Sequence, residues 1–217
     1  MNKRLLYLLL GVNGVFIVLH FVAHCLERFT DFTFGAELTH WFSMDIEYSL
    51  PTWFATLLLL SIGAMFLSIC MQAKTDRIAW GSLGVIFFYL SADELFSIHE
   101  NLIEPMQELF GITSGPLFFA WVIPVFFGVV LLGIAYYRFL FSLPKKLRIY
   151  LFIAAGIFLL GAIGVEMISG AYWQAHHFEN DMVYRALNAL EEGLENMGSI
   201  IAVAALVAYK KKNKTTS

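Results

Sequence analysis

The chain has 217 residues, of which 59% are hydrophobic and only 14% are charged. Water-soluble domains carry about 25% charged residues, so this composition excludes an ordinary soluble domain. With a net charge of −3 the chain offers no strongly basic surface, and we expect no nucleic acid among its partners.

Six apolar segments of about 20 residues can be read along the chain, and this length crosses a bilayer core of about 30 Å. The segments are approximately 5–25, 51–73, 78–99, 116–140, 148–172 and 183–209. We therefore predict an all-α fold, a six-span transmembrane helix bundle that occupies residues 1–209 as a single domain. Residues 210–217 follow as a short basic tail.

The distribution of lysine and arginine predicts the orientation of the bundle, because cytoplasmic loops are enriched in both residues. One side of the predicted membrane carries Lys3, Arg4, Lys74, Arg77, Arg138, Lys145, Lys146, Arg148, Lys210, Lys211, Lys212 and Lys214. The other side carries only Arg28 and Arg185. Both termini are therefore predicted to be cytoplasmic.

Acidic residues and histidines gather in the opposite, extracytoplasmic half. Counted from the cytoplasmic end of each span at 1.5 Å per residue, one group falls in a layer roughly 20–30 Å away. Its members are His20, Asp93, Glu94, Glu166, Glu191, Glu192 and Glu195. Ionisable residues inside membrane spans are rare and commonly mark function, so this layer is the predicted site.

Span one contributes the motif HFVAHCLE, in which His20, His24 and Glu27 share one helix face. Two imidazoles one turn apart can chelate a transition metal, and the glutamate can be a third ligand or orient a histidine. The alternative is an interfacial His pair that faces lipid headgroups.

Span three carries the motif ADELFSIHE, in which Asp93, Ser97 and Glu100 share one face. At about 100° per residue, His99 would point about 120° away from Asp93 on a straight helix. Either the helix deforms near Ser97, or His99 faces another neighbour. Asp93 and Glu94 lie deep enough in the membrane to need partners.

Spans five and six supply further carboxylates. Glu166 is the only charge of span five, where several glycines permit close packing; a protonated, structural Glu166 is the alternative. Span six has a polar stripe formed by Asn188, Glu192, Glu195 and Ser199, with Glu191 on its edge. Glutamates this close repel unless protons or cations neutralise them; the alternative is a solvated outer mouth.

Two outer loops leave their role open. Asp45 and Glu47 precede span two, and they could fold over the site as a lid or be plain loop acids. His176 and His177 leave the same choice.

Together these residues predict a divalent-metal site, because carboxylates and imidazoles suit zinc, iron or manganese. The predicted ligands are His20, His24, Asp93, His99, Glu100, Glu166, Glu191 and Glu192, and the predicted general base is Glu94 or Glu195. We expect a metal-dependent enzyme that acts on a lipid or lipid-linked substrate. Hydrolysis is the first choice of reaction, and di-iron oxidoreduction is the second.

Three other functions fit parts of this pattern. A proton or metal-ion transporter or channel would use the acids, although the cytoplasmic half has few polar residues to continue a path. A haem could bind between His20 or His24 and His99, which leaves the glutamates without a role. A structural or assembly subunit would use the polar cluster only to hold helices together.

The segments DIEYSLPTWF, FFYLSADELFSIHE, GAIGVEM and EEGLENMG resemble an uncharacterised family of bacterial polytopic integral membrane proteins. The resemblance covers roughly residues 40–200. It implies a multi-pass protein of the bacterial cytoplasmic (inner) membrane and no particular activity. The polar residues are also similar to those of alkaline ceramidase-like membrane hydrolases, but the His pair of the last span is missing and the spacing of Ser97 and His99 differs.

Overall fold

A computed structural model describes residues 2–29 and 33–214, and within these ranges the regular structure is helical, without a strand. In chain order the helices are α1 (Lys3–Phe29), α2 (Thr33–Phe42), α3 (Leu50–Gln72), α4 (Arg77–Phe96), α5 (Ile103–Phe110), α6 (Val122–Ser142), α7 (Lys145–Leu159), α8 (Glu166–Ala175) and α9 (Met182–Lys214). A 3₁₀ turn (Ile98–Leu102) precedes α5, and a π-helical turn (Leu160–Val165) joins α7 to α8. The predicted all-α class is confirmed.

Five helical segments are long and apolar enough to cross a membrane: α1, α3, α4, α6 and the continuous stretch Lys145–Ala175. Large apolar side chains on their outer surfaces are exposed, and Leu131 of α6 remains 66% accessible, as lipid contact requires. Helix α9 has 33 residues but is not among the five, because three glutamates and a lysine-rich end dilute its apolar part. A membrane helix bundle is supported with five candidate spans, and the sixth predicted span is not confirmed by length and composition.

Several predicted boundaries need correction. The third span ends at Phe96 instead of 99, because Ser97 adopts a left-handed conformation. The fourth begins at Val122 instead of 116, since the preceding residues form turns. Helix α9 continues to Lys214, so most of the predicted tail is helical, and residues 215–217 lie outside the described ranges. The short helices α2 and α5 were not predicted.

Helix α9 runs antiparallel to α1 along almost all of its length. The Asn2 N–H donates to the carbonyl of Ala204 at 3.4 Å, and Asn13 Nδ2 donates to the carbonyl of Gly193 at 3.1 Å. The start of α1 and the late part of α9 therefore lie at one end of the bundle, which we call the terminal end. The opposite end, which holds most of the buried ionisable side chains, is the site end.

The apolar core is concentrated toward the terminal end. Its fully or nearly fully buried members include Leu6, Ile62, Phe66, Trp80, Ile200 and Leu206. Helices α3 and α4 cross closely, because an added methyl group at Gly63 would lie 3.0 Å from the carbonyl oxygen of Gly84. This packed half supports the helices whose other ends carry the ionisable side chains.

Candidate functional site

His20 of α1 is fully buried, and the backbone of two other elements occupies both of its ring nitrogens. The Met44 N–H donates to Nδ1 at 3.0 Å, and Nε2 lies 3.2 Å from the carbonyl of Arg185 in α9. Because Nδ1 accepts a hydrogen bond, the neutral ring carries its proton on Nε2. His20 therefore ties α1, the loop before α3 and α9 together at the site end.

His24 lies one turn further along α1, and its side chain is 3% exposed. Its Nε2 is 3.0 Å from Ser43 Oγ and 3.9 Å from Asp45 Oδ1. Its Nδ1 is 3.4 Å from Glu27 Oε2, but it makes no hydrogen bond within the described part of the chain. The expectation that His20, His24 and Glu27 share a face is confirmed, and the alternative of headgroup-facing histidines is wrong.

Asp45 completes a group that can hold a metal ion. One ligand atom each from His20, His24 and Asp45 lies within 4.8 Å of the others, and this is the one such group of three among the described residues. Two imidazoles and a carboxylate suit zinc, iron or manganese. Coordination by His20 would displace one of its backbone contacts, and coordination by Nε2 of His24 would displace its contact with Ser43 Oγ, whereas Nδ1 of His24 has no hydrogen bond to lose.

The connectivity of Ser43, His24 and Glu27 resembles a nucleophilic triad but does not provide an accessible nucleophile. Ser43 is fully buried, and its hydroxyl donates to Asp45 in a short hydrogen bond. A triad serine must instead give its proton to the histidine and face the substrate. The chemistry of this cluster is therefore that of ligands and their hydrogen-bonded supports.

The chain breaks its helix at Ser97, where φ is 44° and ψ is 45°. The following 3₁₀ turn brings His99 back onto Asp93. The His99 N–H donates to Asp93 Oδ1 at 2.8 Å, and His99 Nδ1 lies 3.0 Å from Asp93 Oδ2. Of the two possibilities for span three, deformation near Ser97 is confirmed, and the straight-helix direction of His99 away from Asp93 is wrong.

Glu166 is held from two directions. Trp121 Nε1–H donates to its Oε1 at 2.7 Å, and Ser169 Oγ lies 3.2 Å from its Oε2. The same hydroxyl is 3.4 Å from Oε2 of Glu191, so Ser169 connects α8 to α9. The Trp121 ring also packs on the His99 ring with 4.5 Å between centroids. Glu166 therefore joins two walls of the site.

The π-helical turn gives α9 close access to this region. A methyl group added at Gly161 would lie 2.7 Å from the carbonyl oxygen of Glu191 and 3.0 Å from Cγ of Glu195. The expected close packing is thus confirmed at Gly161, whereas a methyl group at Gly156 would have no neighbour within 4 Å. π-turns inside α-helices are frequent at functional sites.

A cavity of about 350 Å³ lies between these elements. Seven carboxyl groups line it: Asp45, Glu47, Glu94, Glu100, Glu166, Glu191 and Glu192. Among the described lining residues, His99 alone has a side chain that can become cationic near neutral pH. We call this space the acidic cavity.

The predicted residues therefore separate into two adjoining groups. His20 and His24 join Asp45, while Glu94, Glu100, Glu166, Glu191 and Glu192 line the acidic cavity with His99. Asp93 joins the acidic-cavity group through its hydrogen bond to His99, and Glu195 packs against Gly161. Asp45 lines the cavity and also contacts His24, so it connects both groups.

Two groups that line the acidic cavity and lie outside the spans, His99 and Glu100, have shifted pKa values. Burial lowers the pKa of His99, but the hydrogen bond and the negative charge of Asp93 outweigh it, so the pKa is raised above its usual value. Burial raises the pKa of Glu100, a shift that the nearby His99 partly offsets. Both shifts follow from crowding carboxyl groups around one imidazole.

Sequence reasoning missed several members of the site. Asp45 was expected only as a lid or a plain loop acid, and Trp121 and Ser43 were not among the predicted site residues. The buried loop explains this outcome: the Ser49 side chain caps α3 by accepting from Thr52 N–H, and Met44 is 2% exposed. In the sequence, Ser49 and Pro51 were the signals for an ordered loop before α3. His176 and His177, the other loop residues whose role was left open, are exposed and do not line the acidic cavity.

No curated protein and no solved structure matches the chain. A family model described as a domain of unknown function (DUF8692) matches residues 9–209, which include both histidines of α1, the loop before α3, the break at Ser97 and the acidic stripe of α9. The expected membership of an uncharacterised family is confirmed in this form, while the bacterial membrane origin stays a prediction. The chain belongs to the DUF8692 family.

Proposed function

We propose that the protein is a six-span, metal-dependent membrane enzyme that hydrolyses a lipid or lipid-linked substrate from the extracytoplasmic side of a bacterial inner membrane. One observation carries the proposal: Asp45 contacts a buried histidine and also lines the acidic cavity. A bound cation there would face the carboxylates and any substrate that enters among them.

The contacts between α1 and α9 support a sixth span. They extend from Asn2 and Ala204 to His20 and Arg185. Eighteen helical steps from Asn2 to His20 cover about 27 Å, close to the thickness of a bilayer core of about 30 Å. A helix that accompanies a membrane span over this distance crosses the same layer, and its glutamates then face the bundle interior.

The charge distribution supports cytoplasmic termini. Lys3 and Arg4 at the start of α1 lie near Lys211 and Lys212 of α9 around one cavity at the terminal end. A concentration of lysine and arginine at one membrane face favours the cytoplasmic side. The acidic cavity would then open on the extracytoplasmic side.

The crowding of carboxyl groups in the acidic cavity supports a bound metal ion. Seven carboxyl groups around about 350 Å³, without a lysine or arginine among the described lining residues, repel one another unless cations or protons intervene. Nδ1 of His24, 3.4 Å from Glu27, is a buried ring nitrogen with no hydrogen bond among the described residues, and Nε2 of the same ring lies 3.9 Å from Asp45. Zinc, iron or manganese held by His24 and Asp45, with His20 or Glu27, would meet this need and lower the pKa of a bound water. Glu94, one of the two bases that the sequence favours, lines this cavity, and Glu195, the other, packs against Gly161.

Metal analysis in detergent tests the proposal. We expect wild-type protein to retain about one zinc, iron or manganese ion per chain. His24→Ala should lose it, because tight binding needs at least three protein ligands and this variant removes one of them. His177→Ala is the matched control, since His177 is exposed. A visible spectrum with a Soret band would indicate haem instead.

A wild-type protein that holds no stoichiometric metal, either as purified or after dialysis against zinc, iron and manganese salts, would overturn the metal-dependent enzyme. Equal metal content in His24→Ala and wild type would exclude the His24 site.

Ion transport is the second candidate, and one observation favours it. Asn13 and Asn196 carry buried side-chain oxygens without hydrogen-bond partners among the described residues, on the terminal side of the acidic cavity. Such oxygens could continue a path for a cation or a proton. Flux of Mn²⁺ or protons into proteoliposomes, reduced by Asn196→Leu, would favour transport, whereas leak equal to empty liposomes would exclude it.

A further inference from the structure

We propose that His99 is the general acid–base group of the acidic cavity, and that Asp93 is the residue that positions it. This inference rests on the proposed hydrolytic function. It assigns the proton transfer to a histidine, although the sequence favoured Glu94 or Glu195 for this role.

The backbone at Ser97 is the first support. A left-handed conformation costs an ordinary residue roughly 1–2 kcal/mol, so it persists only where the surroundings hold it. Here the Asp93 carboxylate accepts both the backbone N–H and the Nδ1–H of His99, at 2.8 and 3.0 Å. The break places one side chain, the His99 imidazole, in a defined position at the cavity wall.

The hydrogen bonds also determine which ring nitrogen of His99 is free to accept a proton in the cavity. An ionised carboxylate can only accept, so Nδ1 carries the proton and Nε2 keeps its lone pair. Within the described chain, Nε2 makes no hydrogen bond, and the His99 side chain is 27% exposed. Trp121 packs on the ring and is itself bonded to Glu166, which restricts rotation of the imidazole. Nε2 is therefore held in place on a partly exposed ring and makes no hydrogen bond within the described chain.

The composition of the cavity distinguishes His99 from its neighbours. The other groups that line it and ionise near neutral pH are carboxyl groups, which are neutral or anionic, whereas a protonated imidazole is a cation that the neighbouring carboxylates stabilise. An imidazole both accepts and donates a proton near neutral pH. The acidic wall also selects the substrate, because an anionic headgroup would be repelled while an uncharged or amine-bearing headgroup would not.

The proposed step is hydrolysis of an ester- or amide-type linkage. Nε2 takes one proton from a water molecule as its oxygen bonds to the substrate carbonyl carbon. The bond from that carbon to the leaving oxygen or nitrogen breaks, and the imidazolium returns the proton to the leaving atom. One water is consumed, nothing is oxidised or reduced, and Asp93 stabilises the imidazolium throughout.

Histidine NMR tests the geometry without a substrate. In ¹⁵N-histidine-labelled protein, assigned with His99→Gln, we expect neutral His99 to be protonated on Nδ1. Asp93→Ala should shift it to the Nε2–H form, because the acceptor at Nδ1 is lost. Asp93→Asn should keep the Nδ1–H form, since its amide oxygen can still accept. Asp181→Ala is the control, because Asp181 bonds Tyr172 and caps α9 at a separate place.

A second measurement separates an acid–base group from a metal ligand. Diethyl pyrocarbonate acylates accessible, unprotonated imidazole nitrogens, and mass spectrometry reports each histidine. We expect His99 to be acylated equally with and without saturating Zn²⁺ or Mn²⁺, with exposed His177 as the internal reference. Protection of His99 by the metal, or an Nε2–H form in the wild type, would overturn the assignment. Both measurements remain readable if no metal binds, so the two proposals fail separately.

Hydrolysis of p-nitrophenyl butyrate, an uncharged ester, supplies the kinetic readout. His99→Gln should lower kcat by about 100-fold or more with a smaller change in KM, and Asp93→Asn should lower it less than Asp93→Ala. His177→Gln should match the wild type. Wild-type kcat in His99→Gln would contradict the proposal.

Discussion

At the scale of single residues, the site depends on two unusual features. One is the strained backbone at Ser97, and the other is His20, whose two ring nitrogens both contact backbone groups of other elements. The first directs His99 to Asp93, and the second holds the Asp45 loop against α1. Local hydrogen bonds stabilise each feature, so each can be tested by a substitution that changes the residue or removes one partner.

Replacing Ser97 by glycine should preserve or raise stability, because glycine adopts the left-handed region without the cost of a Cβ atom. We expect a gain of less than about 1 kcal/mol, since glycine also loses more entropy on folding. Ser97→Val should destabilise by about 1–2 kcal/mol, because a β-branched side chain disfavours this conformation.

Thermal unfolding in detergent, followed by tryptophan fluorescence, measures both variants. Ser61→Val is the control, because Ser61 is exposed on the regular helix α3. Equal melting temperatures for Ser97→Val and Ser61→Val would contradict a strained Ser97.

His20 and His24 should differ in what they contribute. His20→Ala leaves the buried Met44 N–H without its partner and removes the contact with the Arg185 carbonyl, so we expect a loss of about 1–3 kcal/mol in stability even without metal. His24→Ala should cost less stability in the chelated protein but more in metal binding. Chelated and metal-loaded melting curves, with the exposed His40→Ala as reference, distinguish the two effects. Identical losses in chelated protein would mean that His20 has no special structural role.

At the scale of the helices, interruptions place the side chains. The 3₁₀ turn after α4 brings His99 onto Asp93, and the π-turn between α7 and α8 lets Glu166 follow a segment that lies against α9. Gly161 within that turn has no room for a side chain. The acidic stripe of α9 can therefore approach Glu166 only while this position remains a glycine.

Gly161→Ala should destabilise the protein by about 1–3 kcal/mol, because its methyl group would press on the Glu191 carbonyl oxygen and the backbone would have to shift. Gly156→Ala is the matched control on α7, where the methyl group has no neighbour within 4 Å. There we expect a gain of up to about 1 kcal/mol from helix propensity. Melting temperatures of both variants give the comparison, and a neutral Gly161→Ala would show that the turn is less tightly packed than its geometry indicates.

At the scale of the whole molecule, apolar packing and ionisable groups are separated along the bundle. The buried core around Ile62, Phe66 and Ile200 lies toward the terminal end, and the carboxyl groups lie at the site end. Antiparallel α1 and α9 connect these ends and bring both described chain ends to the same side. This arrangement would let a rigid apolar half hold a polar site near one membrane face.

The orientation can be tested by cysteine labelling in intact cells. In a background without Cys25 and Cys70, Thr113→Cys after α5 should react with a membrane-impermeant maleimide, because its loop lies at the site end. Thr75→Cys, between α3 and α4, should react only after permeabilisation. The reverse pattern would invert the proposed topology, and labelling of both in intact cells would contradict a membrane-spanning α4.

The sequence by itself determined the helical class and the approximate positions of five candidate spans, because hydrophobic length and helical periodicity are local properties. For the same reason it could predict a layer of ionisable residues. It also predicted the shared face of His20 and His24. Only the tertiary structure brought Asp45 to His24, bent the chain at Ser97 and placed Trp121 between His99 and Glu166. These contacts depend on how a buried loop and two interrupted helices pack against distant segments, and residue spacing along one helix carries no information about such packing.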